Sequence, residues 1–71
     1  MNRINPAKLH NSKWTALAPQ RREKHFIVTE LKTDAEGVVV SCAIEAVLSR
    51  RVTLIDWQEL KDASRWAHGW Q

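Results

Sequence analysis

The chain has 71 residues, of which 44% are hydrophobic, and it carries a formal net charge of +3 and a single cysteine. A chain of this length has room for one domain, but not for a two-lobed active site, and one cysteine excludes an internal disulfide bond. No apolar run approaches the roughly 18 residues of a membrane span, and no signal peptide is visible, so we expect a cytoplasmic protein without membrane contact.

The N-terminal third is predicted to contain an arm over residues 1–11 and the first strand of a sheet. Asn5 and Pro6 form a helix-start signal, which predicts a short helix up to about His10. Residues 12–18 are predicted to form a strand, and Pro19 ends it because proline removes a ladder donor. Residues 19–24 (PQRREK) are polar and predict a hairpin loop.

Three further strands are predicted to complete a four-strand meander over residues 12–55. Residues 25–32 form one strand with mixed faces, and residues 33–37 (TDAEG) form a turn. The long strand over residues 37–49 has an alternating apolar set that indicates one buried face. That set is Val38, Val40, Cys42, Ile44, Ala46 and Leu48. Arg50-Arg51 then predicts a tight turn, followed by a strand over residues 52–55.

The C-terminal segment, residues 56–71, changes to a helical period. Asp56 with Glu59 three residues later resembles a capping box and predicts a helical turn over residues 57–61. A second turn would carry Trp66 and Trp70 on one face, since they are spaced four residues apart. The alternative is an extended tail that lays both tryptophans over the sheet.

The predicted fold class is mostly β. We expect a small antiparallel barrel like an SH3 fold, or a strongly bent meander, with a C-terminal helical turn. The alternative is an open sheet with that helix across one face. The predicted core consists of Trp14, Phe26, Ile27, Leu31, Val38, Val40, Cys42, Ile44, Leu48, Leu54 and Trp57.

Six segments of the chain resemble a family of small bacterial tryptophan-rich proteins of unknown function. They extend from Ile4 to Trp70 and read INPAKL, SKWTAL, EKHFIVT, GVVVSCAIEAVLS, IDWQELKD and RWAHGW. The resemblance implies a compact, cytoplasmic, single-domain protein. It implies no catalytic residue, because no activity is assigned to that family.

The sequence contains no recognisable catalytic or metal-binding pattern. The three histidines, His10, His25 and His68, do not occur in an HExxH spacing, and there is no CxxC or GxSxG. Cys42 lies in the apolar set of the long strand, where a small buried side chain is expected. We therefore predict a binding module without catalytic residues, metal or cofactor.

Two binding functions are predicted. Residues 1–25 hold six basic side chains against one acidic one, and residues 26–71 hold five against seven. Connections in a meander alternate ends, so the loop over residues 19–24 and the Arg50-Arg51 turn should meet at one end. The first hypothesis is therefore nucleic-acid binding by Arg21, Arg22, Lys24, Arg50 and Arg51. The alternative is a protein interface, with a partner or with a second copy, formed by Trp66 and Trp70.

Overall fold

The computed structural model describes all residues, Met1–Gln71, as one antiparallel five-stranded sheet with two short 3₁₀ helices. The strands are β1 (Lys13–Gln20), β2 (Glu23–Thr33), β3 (Val39–Ala46), β4 (Val52–Ile55) and β5 (Trp66–His68). The 3₁₀ helices span Pro6–Lys8 and Trp57–Lys61. The strand order is β4-β3-β2-β1-β5, with β4 and β5 as edges. The predicted mostly β, antiparallel meander is confirmed, and the sheet is open rather than closed into a barrel.

The core lies on one face of the sheet, beneath a thin second layer. Its six buried members are Leu9, Trp14, Val28, Cys42, Ile44 and Leu60. Leu9 follows the N-terminal 3₁₀ helix and Leu60 lies in the C-terminal one, so these two segments cover the sheet. Asn2 fastens the layer, because its side-chain nitrogen donates to the carbonyls of Leu60 and Trp66, each at 2.8 Å.

The predicted core was partly wrong. Val38, Val40, Leu48 and Leu54 are all exposed, with Leu54 the most exposed at 72%. Val38 and Leu48 lie beyond the ends of β3, where the short covering layer does not reach. Leu54 pairs with Ala43 and therefore points to the face opposite the core, which we call the open face. Phe26, Ile27, Leu31 and Trp57 are partly buried, whereas Leu9, Val28 and Leu60 were not predicted.

An irregularity in β2 explains its mixed apolar pattern. The pairing with β3 shifts between Val28 and Glu30, so one extra residue is accommodated there. Phe26 and Val28 contribute to the core before the shift, and Leu31 does so after it. The core-facing residues therefore change from even to odd positions along β2, and neither set of alternating residues is apolar throughout.

Local capping signals were accurate. The Asn5 side chain accepts a hydrogen bond from Ala7 N at 3.0 Å, which caps the predicted N-terminal turn. Asp56 and Glu59 form the predicted capping box of the Trp57–Lys61 helix. In the predicted turn, the Asp34 carboxylate accepts from Glu36 N and Val38 N at 2.9 and 3.0 Å.

The second C-terminal helical turn was wrong, and the extended alternative is the observed one. Trp66–His68 forms β5, which pairs with Trp14, Thr15 and Ala16 of β1. This pairing satisfies the outer backbone groups of β1, and the rings of Trp14 and His68 lie 4.1 Å apart. β5 is stabilised by pairing with a strand that is distant in sequence, so the helical spacing of the tryptophans does not indicate that a strand forms there.

Candidate nucleic-acid interface

The turn between β1 and β2 presents two arginines. Arg21 and Arg22 are its only two residues, because Gln20 already pairs with Glu23. Their φ angles of +53° and +62° are typical of a type I′ hairpin turn. The longer loop predicted over residues 19–24 was wrong. Pro19 is tolerated within β1 because β5 pairs only as far as Ala16.

The turn between β3 and β4 presents a third exposed arginine. Val47, Leu48 and Ser49 form the turn, and Arg50 completes it with a φ of +59°. Arg50 N donates to Ala46 O at 2.7 Å, and Ala46 N donates to Arg51 O at 2.9 Å. The reversal is therefore longer than the predicted Arg50-Arg51 turn, and Arg51 leads into β4.

Glu23 joins the two turns. Its buried carboxylate accepts hydrogen bonds from the Ser49 hydroxyl and from the Arg51 guanidinium, with Arg51 Nε at 3.1 Å. These hydrogen bonds, of which those from Arg51 have the larger effect and that from Ser49 the smaller, lower the pKa of Glu23 to about 2. Burial acts in the opposite direction and raises the pKa. The two turns are thus neighbours, and the charge of Arg51 is paired.

The remaining cations at this end form no ion pair. Arg21, Arg22, Lys24 and Arg50 are all exposed, and none lies within ion-pair distance of a carboxylate. We call Arg21, Arg22, Lys24, Arg50 and Arg51 the basic end. Its five positive charges against Glu23 alone leave a formal charge of +4. Such a surface attracts anions.

The two candidate interface tryptophans lie in different environments. Trp66 is partly buried and packs edge-on against Phe26, with ring centroids 5.3 Å apart. Trp70 is 44% exposed. Its indole N–H donates to Phe26 O at 2.9 Å, and the Lys13 ammonium lies 4.7 Å from its ring centroid. Trp66 therefore contributes to the core, and Trp70 is the more exposed of the pair.

Trp70 borders the basic end through His25. The two rings lie 6.0 Å apart, and His25 directly follows Lys24 on β2. Thr15 holds the tail in place, because its hydroxyl donates to Gly69 O at 2.6 Å and accepts from Gln71 N at 3.0 Å. The ring of Trp70 thus lies on the open face near the start of β2, where the β1–β2 turn ends.

The side chains that could perform acid–base or thiol chemistry are dispersed. Each histidine bonds a separate backbone carbonyl: His10 to Thr29 O, His25 to Gln71 O and His68 to Arg3 O. Cys42 is buried as predicted, and burial raises the pKa of its thiol to about 11. No three His, Cys, Asp or Glu side chains form a group that could hold a metal ion.

A surface cleft was missed by the sequence interpretation. It has a volume of about 670 Å³ and lies between the start of β3 and the C-terminal 3₁₀ helix. Its apolar lining includes Val38, Val40, Ile55 and Trp57. Val38 and Val40 were assigned to the core, and their exposure in this cleft is the observation that corrects that assignment.

None of the helices is long and apolar enough to cross a membrane.

Fold and surface together define a small open-sheet protein with one strongly basic end. Residues 12–71 match the family described as "Tryptophan-rich protein (DUF2389)", and the chain belongs to that family. The predicted resemblance is confirmed, although the N-terminal INPAKL segment precedes the matched residues. No curated protein and no solved structure is significantly similar to the chain.

Proposed function

We propose that this protein is a non-enzymatic, cytoplasmic module that binds nucleic acid through its basic end. The support is the group of four cations, Arg21, Arg22, Lys24 and Arg50, that have no carboxylate partner. Guanidinium groups donate in a planar fork that matches phosphate oxygens. Arg51 contributes less because Glu23 already accepts its hydrogen bonds.

The backbone of the two turns supplies the observation that carries the proposal. Arg21, Arg22 and Arg50 all adopt left-handed φ angles, which glycine and asparagine occupy at lower cost. A side chain in that region costs roughly 1–2 kcal/mol per residue. Backbone strain of this kind concentrates at functional sites. Arginine at all three positions therefore favours a role for the charge over a role in folding.

Single-stranded nucleic acid is the preferred class of ligand. Trp70 is partly exposed and borders the basic end, so a base can stack near backbone phosphates held by the arginines. We therefore expect tighter binding to single-stranded RNA or DNA than to duplex DNA.

A salt titration of fluorescence anisotropy tests the proposal. Labelled single-stranded RNA, single-stranded DNA and duplex DNA would each be titrated with the protein at several salt concentrations. Four phosphate contacts to a single strand predict that log K falls against log salt with a slope of about −3.

A hairpin variant separates loss of binding from loss of folding. Arg21→Asn with Arg22→Gly installs the dipeptide that the type I′ turn prefers, so stability should rise by about 1 kcal/mol. The same change removes two cations, so the salt slope should shrink by about 1.4 for a single strand. The matched control is Lys8→Gln with Lys32→Gln, which removes equal charge at exposed positions away from the basic end. It should leave the slope nearly unchanged.

Two results would overturn the proposal. One is the absence of binding to all three ligands at low salt. The other is an equal loss of affinity in the hairpin variant and its control, since that would reflect net charge alone. In either case the second hypothesis, a protein interface at the half-exposed Trp70, would be tested next by comparing wild type with Trp70→Ala.

A further inference from the structure

The open face carries an unpaired cation next to the ring of Trp70. Lys13 precedes the buried Trp14 on β1, so its side chain points to the open face. The Trp70 ring centroid lies 4.7 Å from the Lys13 ammonium and 6.0 Å from the ring of His25. Lys13 is exposed and forms no ion pair, so its charge is available to an anion.

The charges of the open face divide it into two halves. Beyond the basic end, the strands place three other charged side chains on this face, Glu30, Lys32 and Glu45. Glu30 and Lys32 form an ion pair with each other at 3.8 Å, which leaves Lys13 and Glu45 unpaired. Ile27 separates these two, because it is opposed to Lys13 on β1 and to Glu45 on β3. The β1–β2 half therefore attracts an anion, and the β3–β4 half repels one.

We propose that Lys13 binds a phosphate of the nucleic acid, and that the bound strand runs from the basic end over Trp70 to Lys13. The inference rests on the proposed nucleic-acid function, and it adds a binding residue outside the basic end and a direction for the ligand. A base stacked on Trp70 has the Lys13 ammonium beside it, where the adjoining phosphate can accept a charge-assisted hydrogen bond. Glu45 keeps the strand off β3 and β4 by repulsion.

The distance from the basic end to this ring is short. His25 follows Arg22 by three residues, which is roughly 10 Å at the rise of a strand. A ligand of a few nucleotides therefore suffices to contact both the arginines and Lys13.

The backbone fixes Trp70 relative to Lys13. Gly69 N donates to Lys13 O at 2.8 Å, and the Thr15 hydroxyl holds Gly69 and Gln71 on either side of the tryptophan. An aromatic ring and a cation that are already ordered lose little conformational entropy when a ligand binds. The pair is therefore preorganised for one base and its phosphate.

Salt titrations of matched charge variants test the inference. The probe is a labelled oligothymidine of about ten nucleotides, and its binding is measured by fluorescence anisotropy. Lys13→Gln should weaken binding and reduce the salt slope by about 0.7, the value for one phosphate contact to a single strand. Lys13→Arg keeps the charge and should retain the wild-type slope. The control, Lys8→Gln, removes the same charge from an exposed position in the N-terminal 3₁₀ helix and should leave the slope unchanged.

The acidic residue on the other half gives an expectation of opposite sign. Glu45→Gln should tighten binding at low salt by about twofold, which is the effect of one unit charge at roughly 10 Å in water. The control, Glu36→Gln, removes the same charge from the exposed turn before β3 and should leave the affinity nearly unchanged.

An NMR titration with the same oligothymidine gives a second readout on the unmodified protein. The indole N–H of Trp70 and the amides of Lys13 and Ile27 should shift, whereas the Val52 and Leu54 amides on β4 should not. Failure of the wild type to bind would overturn the proposed function and this inference together. Binding that keeps its salt slope in Lys13→Gln, or that shifts the β4 amides instead of the Trp70 resonance, would overturn this inference alone.

Discussion

The carboxylate of Glu23 on β2 is buried against the guanidinium of Arg51 at the start of β4, 28 residues further along the chain. Since β3 lies between β2 and β4 in the sheet, the contact bridges two turns rather than two paired strands. It fixes the spacing of the β1–β2 and β3–β4 turns. This ion pair therefore positions the unpaired arginines of the basic end.

The first prediction concerns acid stability. The pKa of Glu23 is about 2 in the folded protein, below its ordinary value of 4.5. The unfolded chain therefore binds the proton more readily, and the stability contributed by ionised Glu23 is fully present above about pH 4.5. It is lost as the pH falls from 4.5 toward 2. Urea unfolding at a series of pH values in that window should show the decline.

Glu23→Gln tests this assignment. The variant should be less stable at neutral pH and should lose less stability than wild type on acidification. Glu36→Gln, at an exposed turn position, is the control and should retain the wild-type pH profile. If Glu23→Gln retains that profile too, the ion pair does not control acid stability.

The second prediction concerns the capping box of the C-terminal 3₁₀ helix. The Asp56 side chain accepts from Gln58 N at 3.0 Å, and that helix carries the buried Leu60. Asp56→Ala should reduce the free energy of unfolding by about 1 kcal/mol, whereas Asp56→Asn preserves the cap and should cost less. Thermal unfolding by circular dichroism distinguishes them. Equal destabilisation by both variants would contradict a capping role.

The third prediction separates the two C-terminal tryptophans. Trp66→Ala removes a ring that packs against Phe26 and the core, so it should cost about 3 kcal/mol of stability. Trp70→Ala removes a half-exposed ring and one hydrogen bond to Phe26 O, so it should cost about 1 kcal/mol. Chemical denaturation measures both. A larger cost for Trp70→Ala would reverse the assignment of Trp66 to the core.

Local features of this fold were predictable from the sequence, because each depends on residues close together in the chain. Asp56 and Glu59 identified the capped helix, and Asp34 with Gly37 identified the turn before β3. The alternation around Cys42 and Ile44 identified β3. The placement of the two arginine-bearing turns at one end is not a local feature, but it followed from the alternation of connections in a meander.

Features set by distant contacts were not predictable in the same way. The shift after Val28 depends on pairing with β3, and β5 depends on the free edge of β1. The pairing of Arg51 with Glu23 was missed, although Glu23 is the single acidic residue among the first 25. That isolated acid was the available signal, since a lone carboxylate among cations is a candidate for an ion pair.

The fourth prediction concerns the tail that positions Trp70. Thr15 is buried, and its hydroxyl bonds both Gly69 O and Gln71 N, so the tail crosses the open face beside His25. Thr15→Val keeps the shape of the side chain but leaves both partners unpaired, which should cost about 1–3 kcal/mol. It should also release Trp70, and the indole N–H resonance of Trp70 should lose its protection from exchange.

Thr33→Val is the matched control for the tail prediction, because Thr33 is exposed at the far end of β2. It should leave the Trp70 resonance unchanged. If Trp70 stacks on a nucleic-acid base, Thr15→Val should also weaken binding without reducing the salt slope, since no phosphate contact is removed. An unchanged Trp70 resonance in Thr15→Val would show that the indole bond to Phe26 O holds the ring without help from the tail.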